Sequence, residues 1–61
     1  MNIVDQSIYD IKLEDGDELG REILDIVTEE KKQNRKYQII VHQIVQIDIR
    51  SYTVIINLVE K

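Results

Sequence analysis

The chain has 61 residues, no cysteine and a formal net charge of -4, with 43% hydrophobic and 33% charged side chains. This length suits one small domain, and the lack of cysteine excludes disulfides and thiolate metal sites as sources of stability. The composition excludes wholesale disorder, and neither a signal peptide nor a run of about 18 apolar residues is present. We therefore expect a single cytoplasmic α+β domain over residues 1–61, with no contact to a membrane.

Charge is divided unevenly along the chain. Residues 1–30 hold ten acidic and two basic side chains, a net charge of -8, and residues 31–61 hold six basic and two acidic ones, a net charge of +4. We expect the folded molecule to have an electric dipole.

The first predicted element is a strand near residues 2–12. Val4 and Ile8 fall on one of its faces, and the other apolar residues occupy alternate positions on the opposite face. Asp5 and Ser7 interrupt the pattern, which is typical of a strand at the edge of a sheet. The residues at alternate positions are Ile3, Tyr9, Ile11 and Leu13.

A helix of about residues 17–33 follows. Asp15 and Glu18 have the spacing of an acidic capping box, and Asp17 is an equally good N-cap. Basic residues near the helix end complement the helix dipole. The apolar face of this amphipathic helix is formed by Leu19, Ile23, Ile26 and Val27.

The stretch from Tyr37 to Val59 has no glycine or proline and carries 14 apolar residues among 23. Thirteen of the 14 are β-branched or tyrosine, which favours strand over helix. The apolar positions fall on both strand faces, while only one helix is predicted to cover them. We therefore expect a second subunit to complete or cover the sheet.

This stretch is too long for one strand, so it must fold back on itself. The best turn candidates are residues 48–51, where the absence of glycine and asparagine favours a wider loop or a bulge over a tight turn. The two strands are predicted near residues 36–47 and 52–60. The predicted fold is a small α+β domain of order β-α-β-β, with an antiparallel hairpin and one amphipathic helix.

The sequence shows no recognisable catalytic chemistry. An EF-hand loop begun at Asp15 would place Leu19 and Ile26 where oxygen ligands belong. The single histidine, His42, has no nucleophile near it in the sequence, and so small a chain offers little cavity volume for a general acid. We expect no enzymatic activity, no cofactor and no metal.

A basic patch lies in the run KKQNRK and consists of Lys31, Lys32, Arg35 and Lys36. It suits the carbonyl end of a helix dipole. A pI near 4.7 and the lack of Phe and Trp argue against direct binding of nucleic acid. The segment KKQNRKYQIIV, followed by a β run, resembles the helix-to-strand junction of dynein light chains of the Tctex type. The later strands and the preceding helix of that family have no counterpart here, so the resemblance implies neither its dimer nor its cargo groove.

The leading hypothesis is a non-enzymatic protein-interaction module that acts as a homodimer or higher oligomer and binds a protein partner. Neutral polar residues in the second predicted strand suit pairing of an exposed edge with another chain. The predicted interface consists of Ile40, His42, Ile44, Val54, Ile56 and Leu58.

Two alternatives remain open. One is an inhibitor, of the kind encoded by phages and mobile elements, whose acidic surface imitates nucleic acid and occupies a basic groove. That surface would consist of Asp10, Glu14, Asp15, Asp17, Glu18, Glu22 and Asp25. The other is a nucleic-acid-binding regulator that uses the basic patch at residues 31–36.

Overall fold

The computed structural model describes residues 2–61. Within this range the chain forms three strands and one helix, and the predicted order β-α-β-β is confirmed. Each strand boundary lies within one residue of its prediction, and the helix begins two residues later than predicted. The elements are β1 (Ile3–Lys12), α1 (Leu19–Gln33), β2 (Tyr37–Gln46) and β3 (Ser51–Glu60).

The three strands form an antiparallel sheet in the order β1-β3-β2. The last strand of the chain therefore lies in the centre, and β1 is an edge strand, as its interrupted pattern predicts. Because β3 is flanked on both sides, its side chains are the most deeply buried in the molecule, and Val54 and Ile56 are 0% exposed.

Alternate residues of β3 build the core against the helix. Val54, Ile56 and Leu58 form a buried cluster with Ile11 of β1. The predicted apolar face of α1 packs on this cluster, together with flanking residues of β1 and β2. Side chains alternate between the two sides of a strand, so the residues between these core positions point away from the helix.

The helix begins at an uncapped end. Its N-cap is Glu18, which makes no side-chain capping hydrogen bond, so the predicted capping box is wrong. Asp17 instead accepts a hydrogen bond at 2.8 Å from the backbone N–H of Glu14, and the N–H of Asp17 donates to the carbonyl of Glu14 at 3.0 Å. Gly16 lies within this turn with φ +90°, which residues with a Cβ rarely adopt. The Asp17 carboxylate therefore closes the turn and does not cap the helix.

A four-residue loop, residues 47–50, joins β2 to β3, which agrees with the predicted wider connection. The backbone N–H of Arg50 donates to the Asp48 carboxylate at 3.0 Å. This hydrogen bond lowers the pKa of Asp48 from its ordinary value, with a smaller contribution from Ser51. Ile47 closes the loop by donating its N–H to the carbonyl of Ser51 at 2.8 Å.

We predict that Ile56→Val destabilises the chain by about 0.5–1.5 kcal/mol, because it removes a methylene from a site with no exposure to water. Urea unfolding followed by circular dichroism measures this change. The matched control is Ile49→Val in the loop, where the side chain is 86% exposed and the substitution should leave the unfolding midpoint unchanged. Equal effects of the two substitutions would contradict the assignment of the core.

Candidate functional site

The side of the sheet opposite the helix, here called the open face, combines apolar and polar side chains. The register places Ile55 of β3 between Ile8 of β1 and Gln43 of β2. Ile8 is 64% exposed and Ile3 is 57% exposed. The apolar residues of the open face are Ile3, Ile8, Ile40, Val45, Ile55 and Val59.

Polar residues of the open face bond to one another across neighbouring strands. Gln6 donates its side-chain N–H to the side-chain amide oxygen of Asn57 at 2.8 Å, and the Thr53 hydroxyl donates to the Asp10 carboxylate at 2.9 Å. A polar group that already has a partner loses less on burial than an unpaired one. Burying the open face beneath another chain therefore costs less free energy than its polar composition indicates.

The six predicted interface residues do not form one surface. Val54, Ile56 and Leu58 are buried in the core of the subunit itself, beneath α1. A contact between subunits through these three side chains would require the helix to leave its place. Their assignment to an exposed interface is therefore corrected.

A bulge in β2 divides the other three predicted interface residues. Ile40 pairs with Asn57 on the open face, whereas Ile44 pairs with Val54 on the helix face. The register shifts between Val41 and Gln43, so His42 is the extra residue, and it is exposed. The predicted interface groups Ile40 with Ile44, but they lie on opposite faces, because one additional residue reverses the alternation.

A second bulge, near the start of β1, changes the face of Ile3. Ile3 pairs with Val59 and Asp5 pairs with Leu58, which leaves Val4 as the extra residue. Ile3 therefore lies on the open face with Ile8, although its odd position in the sequence predicts the face of Tyr9. No signal in the sequence marks this shift, since Val4 is as suitable for a regular strand as its neighbours.

The seven residues of the predicted acidic surface are divided between two parts of the molecule. Asp10 lies on the open face, bonded to Thr53, while the others lie in the turn before α1 or on the helix. Asp15 forms an ion pair with Arg50 at 2.9 Å, and both side chains are largely exposed, so this pair contributes little to stability. The six acidic residues apart from Asp10 are Glu14, Asp15, Asp17, Glu18, Glu22 and Asp25.

The four residues of the basic patch are exposed at the opposite end of the molecule. Lys31 and Lys32 lie in the last turn of α1, as predicted. Lys61 extends the basic surface by donating to the carbonyl of Arg35 at 3.0 Å. A shallow groove is lined there by Lys31, Arg35, Tyr37, Gln38, Ile39 and Lys61.

One buried carboxylate lies beneath the helix end. Glu30 is 3% exposed, and one of its oxygens accepts a hydrogen bond from Asn34 at 3.3 Å. The other oxygen has no hydrogen-bond partner among residues 2–61. Burial raises the pKa of Tyr9, and the nearby Glu30 carboxylate raises it further.

The described residues offer no obvious metal centre. No group of three or more His, Asp or Glu side chains within residues 2–61 is arranged to hold an ion. The helix in this range is neither long enough nor apolar enough to cross a membrane. Comparison of the chain with protein-family models, with curated proteins and with solved structures finds no match.

We predict that ionisation of Tyr9 weakens folding in alkaline solution. Because the pKa of Tyr9 in the folded chain lies above 10.0, the folded state holds this proton more tightly than the unfolded state. The resulting stability is complete below pH 10 and disappears as the pH rises through the folded-state value. Thermal unfolding of the wild type and of Tyr9→Phe, followed across this range, tests the prediction.

The wild type should lose more stability than Tyr9→Phe as the pH rises. Glu30→Gln should bring the pKa of Tyr9 closer to 10.0, as measured by ultraviolet titration, because it removes the neighbouring negative charge. Glu29→Gln is the matched control with a smaller effect, since Glu29 is the weakest of the causes. Parallel pH profiles for the wild type and Tyr9→Phe would contradict the assignment.

Proposed function

We propose that this chain is a non-enzymatic protein-interaction module that works as a homo-oligomer, with the open face covered by the open face of a second copy. The observation that carries the proposal is the arrangement of the layers. Helix α1 packs on one side of the sheet, and Ile3 and Ile8 are exposed on the other side.

A second copy fits the open face in shape and size. Three strands about 4.8 Å apart and ten residues long give a face of about 14 by 34 Å. That estimate agrees with a molecule measuring 37 × 19 × 12 Å. Two sheets of equal outline pack face to face in β-sandwiches, and a two-fold axis lets one surface serve both copies.

The chemistry of the open face also suits a second copy. Ile8 and Ile55 are neighbours across β1 and β3, and they lie between the bonded pairs Gln6–Asn57 and Asp10–Thr53. Covering Ile8 removes apolar area from water, while the flanking amide pair keeps its hydrogen bond. Asp10 lies near the end of β1, at the rim of such a contact, where its carboxylate stays close to solvent.

The loop between β2 and β3 supports binding of a further protein partner. Ile47 is 64% exposed and Ile49 is 86% exposed, and both lie beyond the strands that form the open face. Exposed apolar side chains on a loop are typical of sites that contact other proteins. The partner would bind at this end of an assembled oligomer.

We predict that Ile8→Lys lowers the mass of the assembly measured by sedimentation velocity at about 1 mM chain. Each copy loses about 1.5–3 kcal/mol of apolar burial, so the dissociation constant should rise at least about tenfold. Leu24→Lys is the matched control, because Leu24 is 62% exposed on the helix, away from the open face. A wild-type chain that remains at 7.2 kDa would overturn the proposal.

We predict that Ile49→Ser weakens binding of the protein partner and leaves self-association intact, since Ile49 lies in the loop. The experiment compares proteins cross-linked to the wild type and to the variant in lysate of the native host. Leu24→Ser serves as the control, because it also removes an exposed apolar side chain but lies on the helix. Identical cross-linked proteins for all three chains would argue against the loop as a binding site.

The alternatives retain less support from the arrangement of charge. Nucleic-acid mimicry requires the acidic residues on one surface, whereas Asp10 lies on the open face and Glu22 and Asp25 lie on the helix. For nucleic-acid binding, the attraction of phosphates to the basic patch must exceed the repulsion from a chain of net charge -4. Both remain hypotheses, and neither explains the exposed isoleucines of the open face.

A further inference from the structure

Within residues 2–61 the sheet has two unpaired edges, and they differ in how well they are protected from pairing with another chain. Edge strands usually carry charges, proline or bulges that prevent pairing with other chains. β1 carries Asp5, Asp10 and Lys12 and has a bulge near its start. β2, with the sequence YQIIVHQIVQ, has no Asp, Glu, Lys, Arg or Pro, and its bulge is at His42, in the middle of the strand.

The two ends of β2 lie at ends of the sheet that carry opposite charge. The basic patch at residues 31–36 has a net charge of +4 and leads directly into Tyr37. At the other end, the loop of residues 47–50 contacts the acidic turn before α1. Leu13 donates its N–H to the carbonyl of Arg50 at 2.8 Å, and Arg50 pairs with Asp15. The loop itself is neutral, because Asp48 and Arg50 cancel, and the turn of residues 14–18 has a net charge of -4.

We propose that two copies pair their β2 strands in antiparallel orientation and form a continuous six-stranded sheet. Antiparallel pairing places the basic end of each copy beside the acidic end of the other, whereas parallel pairing would bring like charges together. This inference rests on the proposed self-association, and it adds a second contact that differs from the open face.

A centred pairing makes a definite prediction of register. β2 runs from Tyr37 to Gln46, so Tyr37 of each copy lies opposite Gln46 of the other. By the same symmetry Arg35 lies opposite Asp48, and Gln38 lies opposite Val45. The bulge falls at the two-fold axis, which leaves a regular stretch on each side for hydrogen bonding.

The two contacts are compatible in one assembly. A two-fold axis perpendicular to the sheet places both helices on one side and both open faces on the other. Two edge-paired dimers can then pack through their open faces, which gives four copies. The expected wild-type mass is therefore four times 7.2 kDa at high concentration.

The edge contact is tested in the Ile8→Lys background, in which the contact between open faces is weakened. This chain should sediment as a dimer at about 1 mM. Adding Arg35→Glu should raise the dimer dissociation constant at least about fivefold, and adding Asp48→Lys should have a similar effect. Combining the two reversals should return the constant to within about twofold, because the opposite charges then face each other again.

A cross-linking experiment keeps the test informative if Asp48→Lys disturbs the loop. The chain has no cysteine, so the double variant Gln38→Cys/Val45→Cys introduces the only thiols. These positions are about 23 Å apart within one extended strand, too far for a disulfide inside one copy. Oxidation should give a covalent dimer, and Gln38→Cys alone should give none at the same concentration.

The outcomes separate this inference from the proposed function. A wild-type chain that assembles while Ile8→Lys is monomeric overturns the edge contact alone. An Ile8→Lys dimer that shows neither the charge effects nor a disulfide between positions 38 and 45 of the two copies overturns this register and orientation. A wild-type chain that is monomeric at all concentrations overturns both proposals.

Discussion

The coverage of one sheet by one helix is the constraint on which the rest of this structure depends. A helix with an apolar stripe can pack on a single side of a sheet. Here the core residues Val54, Ile56 and Leu58 of β3 lie on the side that the helix covers. The alternate residues of the same strand lie on the other side, where Asn57 and Val59 are buried and Ile55 is half-buried.

The position of β3 in the centre makes this division strict. Both neighbours of β3 are antiparallel to it, so residues that share a register also share a face. The bulges in β1 and β2 break the alternation in the edge strands only, and one of them moves Ile3 to the open face. The buried side of the sheet is therefore set by β3, and the edge strands determine how apolar the open face becomes.

The sequence predicts the elements of this fold more closely than their faces. The helical spacing of Leu19, Ile23 and Ile26 and the β-branched composition after Tyr37 are local signals, and both elements form where expected. The predicted helix cap is wrong because the Asp17 carboxylate accepts a hydrogen bond from Glu14 and closes the turn. Several carboxylates lie close together in this segment, so the sequence does not show which of them caps the helix. The strand order depends on packing between distant segments, so no local pattern reveals it.

The candidate site was harder to predict because apolar residues occupy both odd and even positions of β2 and β3, and therefore both faces of each strand. In such a strand an extra residue leaves the pattern looking regular, so the sequence does not reveal the bulge at His42 and predicts Ile40 and Ile44 in one interface. The expectation of an uncovered apolar surface rests on the stretch from Tyr37 to Val59, whereas the exposed apolar residues of the open face, Ile3 and Ile8, belong to β1. Which residues form that surface required the pairing of the strands.

The central claim is that the open face is covered by a second copy, and isoleucine methyl resonances test it most directly. In a dilution series by nuclear magnetic resonance, the account predicts concentration-dependent shifts for Ile8 and Ile55 of the open face. The methyl signals of Ile23, which packs between helix and sheet, should not change. Identical spectra from about 10 μM to about 1 mM, with diffusion matching 7.2 kDa, would contradict it.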